Sequence, residues 1–291
     1  MRVQSAVIIP HYNDVDRLHR CLAALEGQVV DGIEVVVVDN NSDVDLSALR
    51  QRFAWVRFLV EPRKGAAHAR NLGVKATTAR ELFFLDADCL PAPDWIAVAR
   101  EAVRRGDLVG GAIDVFDETP PPRSGAEAFE TVFAFDNRDY VERKGFSVTA
   151  NLLTNRAVFE AVGDFIDGVS EDAEWCLRAR AKGFRIVLAE DLRVAHPTRS
   201  DWPALVKKFR RITEESFALQ CAARGSAAAR LRWGLRSLAM GLSPLAHLPK
   251  IWRSKNLDRP AERWRASTTL FRIRALRAGW MFAQAVGGRQ K

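Results

Sequence analysis

Glu81-Leu-Phe-Phe-Leu-Asp-Ala-Asp-Cys-Leu-Pro91 is a short apolar run that ends by delivering two acidic side chains, Asp86 and Asp88. Leu82 to Leu85 have no polar face, the pattern of a strand buried on both sides, and Pro91 stops its continuation. The carboxylates therefore stand at a strand's carboxyl edge, where open α/β sheets bind their ligands. Two carboxylates separated by one small residue can hold a hard divalent cation that in turn grips phosphate oxygens. Taken alone, the same residues also read as the start of a polar turn, because Asp is a common turn residue. The flanking segments decide between the two.

Upstream, Ala6 to Ile9 read as a first strand, and Leu18, Cys21, Leu22 and Leu25 follow at helical spacing with Asn13 or Asp14 as cap. Ile33-Glu-Val-Val-Val-Val-Asp39 is a β-branched run ending in an acid, followed by a turn over 40–43 and a short amphipathic run, Leu46 to Phe53. Val56 to Val60 reads as a third strand, and the segment after Lys64-Gly65, from Ala66 to Thr77, as a helix with Ala69, Leu72 and Ala76 on one face. Strand and helix alternate up to Leu85, which predicts a mostly parallel sheet with helices on both faces. Downstream, helices are expected over 94–105, 126–141, 156–162 and 171–183, and strands over 108–116, 146–154, 184–188 and 192–195. The helix from Ser170 carries acids in its first turn, bases in its last and a terminal Gly183.

At 291 residues, the chain has room for one large α/β domain and an appendage. Four cysteines, Cys21, Cys89, Cys176 and Cys221, show no Cys-x-x-Cys spacing, which argues against a zinc knuckle or a disulfide framework and for reduced thiols in a cytoplasmic protein. The first apolar run is too short for a signal peptide, and no stretch approaches the about 18 apolar residues of a membrane span. The net charge of +8 is unevenly divided: residues 1–198 hold 24 Lys and Arg against 31 Asp and Glu, residues 199–291 hold 20 against 5. So sharp a change marks a boundary near His196-Pro197, with a domain over 1–198 and a basic helical extension over 199–291.

Asp39, Asp86 with Asp88, and Glu171 with Asp172 all fall at strand ends or helix starts on one edge of one sheet. Tyr12, after the first strand, offers a flat face for a nucleobase, Asp39 can accept hydrogen bonds from a base or ribose, and Arg70 can approach the nucleotide or balance the acids. Asp172 opens a helix, whose dipole favours its ionised form, although acids in a first turn are also common caps. His196 reads either as a structural residue at a strand end or as a metal ligand. Trp175 reads either as a stacking platform for an acceptor sugar or as a core aromatic. No role is expected of His11, His19, His68 or His247.

Pro-His-Tyr-Asn at 10–13, Val-Val-Val-Asp-Asn-Asn-Ser at 36–42, Lys-Gly-Ala-Ala-His-Ala-Arg-Asn at 64–71, Leu-Asp-Ala-Asp at 85–88, Thr-Ala-Asn-Leu-Leu-Thr-Asn-Arg at 149–156 and Ser-Glu-Asp at 170–172 keep order and spacing from about residue 5 to residue 198. Together they resemble a family 2 inverting glycosyltransferase. The resemblance implies a GT-A fold, a Rossmann-like mostly parallel sheet, a nucleotide-diphosphate sugar as donor, and Mn2+ or Mg2+ as cofactor. It implies a donor site that includes Pro10, Tyr12, Asp39, Arg70 and Asp86. Asp86 would contact ribose or metal, Asp88 would ligate the metal with His196 completing its shell, and Asp39 would hold the base, uridine being favoured. Asp172 would be the catalytic base, with Glu171 and Trp175 toward the acceptor. The Gln-x-x-Arg-Trp motif and membrane spans of large processive synthases are missing, which favours transfer of a single sugar to a glycan or lipid-linked acceptor.

The extension carries Trp202, Trp233, Trp252, Trp264 and Trp280 among its arginines. Such helices lie in the headgroup layer of anionic membranes, or pack on the catalytic domain or a second subunit with their arginines solvated. Peripheral attachment to the inner face of the cell membrane and a homo-oligomer are the corresponding expectations, and Arg210 and Arg211 are candidates to reach a diphosphate. Nucleic-acid binding is not expected, since no recognised module is present. A sugar-phosphate nucleotidyltransferase would carry a glycine-rich signature where Pro10 to Asn13 stand. A dinucleotide oxidoreductase would carry Gly-x-Gly-x-x-Gly. A silent sugar-nucleotide-binding protein or membrane scaffold would not need Asp86, Asp88 and Asp172 together.

Overall fold

The computed structural model describes residues 3–222 and 227–287, which form two compact units. The first takes the chain up to Asp114, Asp136–Asp167 and Glu171–His196; the second takes Val115–Phe135, Gly168–Ser170 and the chain from Pro197 onward. Cys221 has its side chain outside the described residues.

In the first unit β1 (Ser5–His11), α1 (Val15–Glu26), β2 (Ile33–Asp39), α2 (Ser47–Arg52), β3 (Val56–Val60), α3 (Ala66–Ala76) and β4 (Glu81–Leu85) follow in the alternation read from the sequence. β5 (Leu90–Pro91), α4 (Trp95–Ala102) and β6 (Leu108–Phe116) come next. After α5 (Gly125–Phe133), which belongs to the second unit, come β7 (Asn151–Asn155), α6 (Arg156–Val162), α7 (Glu171–Ala181) and β8 (Ile186–Pro197). One eight-stranded sheet has the order β3-β2-β1-β4-β7-β6-β8-β5. β3, β2, β1 and β4 run parallel, and the β4–β7, β7–β6 and β8–β5 pairs are antiparallel. The order reverses at β1, whose neighbours are β2 and β4, so the carboxyl ends of β1 and β4 flank the crevice where such sheets take ligands.

The apolar strands are buried on both faces, as their lack of a polar side requires. Val7, Ile9, Val37, Phe83 and Leu85 pack with Leu18, Leu22 and Trp95 on one side. Ile8, Leu82 and Phe84 pack with Val74, Phe159 and Trp175 on the other. Helix α3 lies so close on β1 that a Cβ at Gly73 would stand 2.5 Å from Ile8 Cγ2; only glycine permits that approach.

Three local expectations give way to the structure. Residues 146–150 do not form a strand, because the Phe146 N–H is spent on Tyr140 O at 3.0 Å and the two rings stack at 5.0 Å. The segment 126–141 is not one helix: α5 ends at Phe133, and a π-helical turn, Asp139–Lys144, closes on Gly145 in the left-handed region. Residues 186–188 and 192–195 are parts of the single strand β8, which begins at Ile186, two residues later than expected.

The second unit joins α5 to α8 (Trp202–Phe217), α9 (Ala227–Trp252) and α10 (Pro260–Ala285). The units part at His196 and Pro197, near the expected boundary, but Val115–Phe135 and Gly168–Ser170 go with the helices. Ala126 and Phe129 of α5 share one core with Leu205, Ile251, Leu270 and Ile273, and that burial places α5 with the helices. Arg210 and Arg211 pair with Glu214 and Glu215 one turn along α8, at 3.2 and 3.6 Å.

Candidate active site at the carboxyl edge of the sheet

The parallel register sets His11 of β1 opposite Asp39 of β2, and both strands end there. Asp14 N–H donates to His11 Nε2 at 3.1 Å, so the neutral ring carries its proton on Nδ1, 3.2 Å from Asp39 Oδ1. Ser42 donates to the same carboxylate through its hydroxyl at 2.5 Å and its backbone N–H at 3.3 Å. Asp39 is thereby fixed at the crevice floor. Asn40 extends the arrangement: it accepts from Gly65 N–H at 2.7 Å and donates to Arg63 O at 2.6 Å, tying the end of β2 to the loop before α3. Gly65 has φ +132°, and a side chain there would strike Asp167. Tyr12 is 47% exposed, with Lys64 Nζ 5.6 Å from its ring centroid and donating to its hydroxyl at 3.4 Å. Pro10 lies beyond the last β1–β4 pair, Ile8 with Phe84, at the mouth of the crevice.

At the end of β4, Asp86 Oδ1 accepts from Arg70 Nη2 at 2.6 Å. Arg70 rises from α3, is buried, and gives its other terminal nitrogen to Glu171 Oε1 at 2.8 Å. One guanidinium thus joins the end of β4 to the start of α7. The antiparallel pairing of Leu90 with Ala195 brings His196 to the turn after β4, and its Nε2 stands 3.3 Å from Asp88 Oδ2. His196 is 4% exposed, whereas Asp88 keeps about a quarter of its side chain open.

Asp172, half-buried at the start of α7, has its carboxyl pushed up to about 6 by loss of water and by Glu171. Its hydrogen bond from Ala173 N–H and the charge of Arg70 act against that rise, and Asp86 adds to it. Asp172 and Asp86 therefore share one electrostatic cluster. The buried Cys21 and Cys89 beside the turn have thiols raised by burial and by Asp88, so neither is a nucleophile at neutral pH.

The structure brings Asp39, Arg70, Asp86, Asp88, Glu171, Asp172 and His196 to one edge. Trp175 is the exception. It is fully buried, stacked on Phe159 at 5.7 Å with its Nε1–H on Gly163 O at 2.8 Å, so it presents no face to an acceptor. Its position three residues past Asp172 turns it into the core beneath α7. Arg70 meets acids at both ends, which makes it the counter-charge of the cluster rather than a free donor for a nucleotide. His11, given no role from the sequence, supports Asp39; the signal was the alignment of two strands that end at the same edge.

A parallel sheet reversed at β1, with carboxylates gathered over the reversal, defines a GT-A type transferase fold. Solved structures agree on the fold. The mannosyltransferase PcManGT from Pyrobaculum calidifontis in complex with GDP-Man and Mn2+ matches with a TM-score of 0.51 at 19% identity, over 100% of this chain and 77% of that one. GalNAc-T7 with UDP, GalNAc and Mn2+ matches with 0.51 at 18% identity, over 72% and 48%. The glycosyltransferase AglE of Haloferax volcanii is 30% identical over 216 residues, 70% of this chain and 70% of that protein. The pre-mycofactocin glycosyltransferase of Mycobacterium tuberculosis is 28% identical over 269 residues, 83% of this chain but only 54% of its own length. The sequence model of glycosyl transferase family 2 matches residues 6–164, and the chain belongs to that family.

Proposed function

We propose that this chain is an inverting glycosyltransferase that moves one sugar from a nucleotide-diphosphate sugar, a UDP-sugar by preference, to an acceptor hydroxyl of a glycan or a lipid-linked sugar. The observation that carries the proposal is the Arg70 bridge, which sets the Asp172 carboxylate in the same cluster as Asp86. Asp172 accepts the proton of the acceptor hydroxyl as its oxygen attacks the anomeric carbon. The bond to the diphosphate oxygen breaks on the opposite face, its electron pair leaves with the nucleoside diphosphate, and the configuration inverts. With a carboxyl near 6, Asp172 is ionised at neutral pH yet basic enough to take the proton. Asp39, held by His11 and Ser42, accepts from the base or ribose, and Tyr12 stacks on the base.

The donors at the turn fit a divalent cation: a carboxylate oxygen and an imidazole nitrogen converge at 3.3 Å, a mixed set that manganese accepts more readily than all-oxygen-loving magnesium. Among the described residues no cluster of three such side chains exists, so Asp88 and His196 would share the ion with the substrate's diphosphate. Bound there, it would offset charge on the leaving diphosphate. The neighbouring structures that contain Mn2+ with GDP-Man or UDP are consistent with this donor class.

The test offers a panel of sugar nucleotides and simple sugar or lipid-phosphate acceptors with Mn2+, follows nucleoside diphosphate release, and reads the anomeric configuration of the product by proton NMR. Inversion with release abolished in Asp172→Asn is expected. Retained configuration, or full release by that variant, overturns the proposal.

A further inference from the structure

Leu231, Leu235, Leu238, Leu242 and Leu245 of α9 are each 58% exposed or more, although leucine is ordinarily an interior residue. Their spacing of four and three places them within an arc of about 80° at about 100° per residue. The opposite face of α9, with Trp233, Ser237, Pro244 and Ile251, is the one that packs inward. Helix α10 has a second exposed line, Trp264, Phe271 and Phe282, at 64%, 43% and 56%. The helices meet through small residues: a Cβ at Gly234 would lie 3.5 Å from that of Ala285, and one at Gly241 3.6 Å from that of Ala278. Trp252 meets Trp264 edge to face at 5.2 Å near the turn. On both helices the contact lies about 60° to the same side of the exposed line, and because the two run antiparallel, both lines open on one side of the hairpin.

The borders of this face are cationic. At about 100° from the leucines stand Arg232 and Lys250, and at a like angle from the aromatic line stand Arg265 and Arg272. Helix α9 contains no acidic residue, and the one acid of α10, Glu262, is buried. A second copy of α9 would match the leucine spacing but would set arginine against arginine along both flanks with no carboxylate to answer. No helix among the described residues is long and apolar enough to cross a membrane. We infer that the α9–α10 face docks on an anionic lipid surface, its leucines and aromatics in the acyl boundary and its arginines among the phosphates.

Sedimentation of the full chain with phosphatidylcholine vesicles, with and without phosphatidylglycerol, tests this apart from any transfer activity. Binding to the anionic vesicles at low salt, weakened by salt, is expected. Leu238→Glu/Leu242→Glu, at exposed positions and so with an unchanged melting temperature, should weaken it at least about tenfold. Arg232→Glu/Lys250→Glu should weaken it similarly while leaving the leucines in place. Equal binding by the leucine variant, or no preference for anionic vesicles, overturns the inference. So does a wild-type dimer that the leucine variant dissociates while vesicle binding is absent, which would assign the face to a second copy.

Discussion

Replacing Asp172 by Asn removes a group that the fold holds at a cost. Loss of water and the Glu171 charge raise its carboxyl from the ordinary 3.8 to about 6. The folded state therefore binds the proton more tightly than the unfolded chain, and stability falls as pH rises through that interval. At about 1.4 kcal/mol per pH unit, the full cost above pH 6 is about 3 kcal/mol, which solvent at a half-buried carboxylate reduces to about 1–2 kcal/mol. Asn keeps the shape and carries no charge, so Asp172→Asn should melt about 2–6 °C higher at pH 8, and the gain should vanish near pH 4. The same variant should lose about 10²–10⁴ in kcat, and kcat/KM of the parent should rise with pH to a plateau above an apparent pKa of about 6. Scanning fluorimetry across pH, with steady-state kinetics, decides the matter. A variant equally destabilised at pH 4 and pH 8, or one that keeps a tenth of the parent's kcat, would refute the assignment of a strained base.

Three further outcomes follow from the geometry. Arg70→Met strands Asp86 and Glu171 without their counter-charge and should cost about 3–5 kcal/mol, with Arg70→Lys recovering part of the loss in urea denaturation. Asp88→Ala and His196→Ala should each weaken Mn2+ binding in the presence of a nucleoside diphosphate by at least about tenfold, read by calorimetry, while Asp39→Asn leaves the ion in place and weakens the nucleotide. Trp175→Phe should lower stability by about 1–3 kcal/mol through lost packing and the orphaned Gly163 carbonyl; an unchanged acceptor KM would fit its core position, and a KM raised tenfold or more would count against it.

The alternation of β-branched runs with helical spacing up to Leu85 was enough to read the parallel half of the sheet, because short β-branched runs bounded by turns mark strands buried on both faces. The antiparallel half was harder. The segment 146–154 carries apolar residues at both ends, and only the tertiary stack of Tyr140 on Phe146 turns its first part out of the ladder. The acids of the site stood out because each ends a strand or begins a helix. Their connectors did not: Arg70 looked like any helical arginine, and His11 like any strand-end histidine, until the packing of α3 and the register of β1 on β2 gave them partners. Trp175 failed for the same reason in reverse. Helix periodicity fixes which residues share a face but not which face turns inward.

The two halves of the sheet have different tasks at the edge. Parallel β1, β2 and β4 end together, which is why His11, Asp39 and Asp86 arrive at one level without any long loop. A sheet parallel throughout would send every later strand end to that same rim, with each return carried by a crossover helix on a face. Here β5 pairs antiparallel with β8, so His196 comes to Asp88 from the opposite direction, near the end of a twelve-residue strand. The helix α7 begins where Arg70 can reach its first acid, so Glu171 and Asp172 are fixed by a bond from α3 rather than by their own loop. If Asp172 is the base proposed above, its place on a helix start held to the core by Trp175 below and Arg70 beside would spare it reorganisation on meeting an acceptor, which general-base chemistry at a single carbon favours.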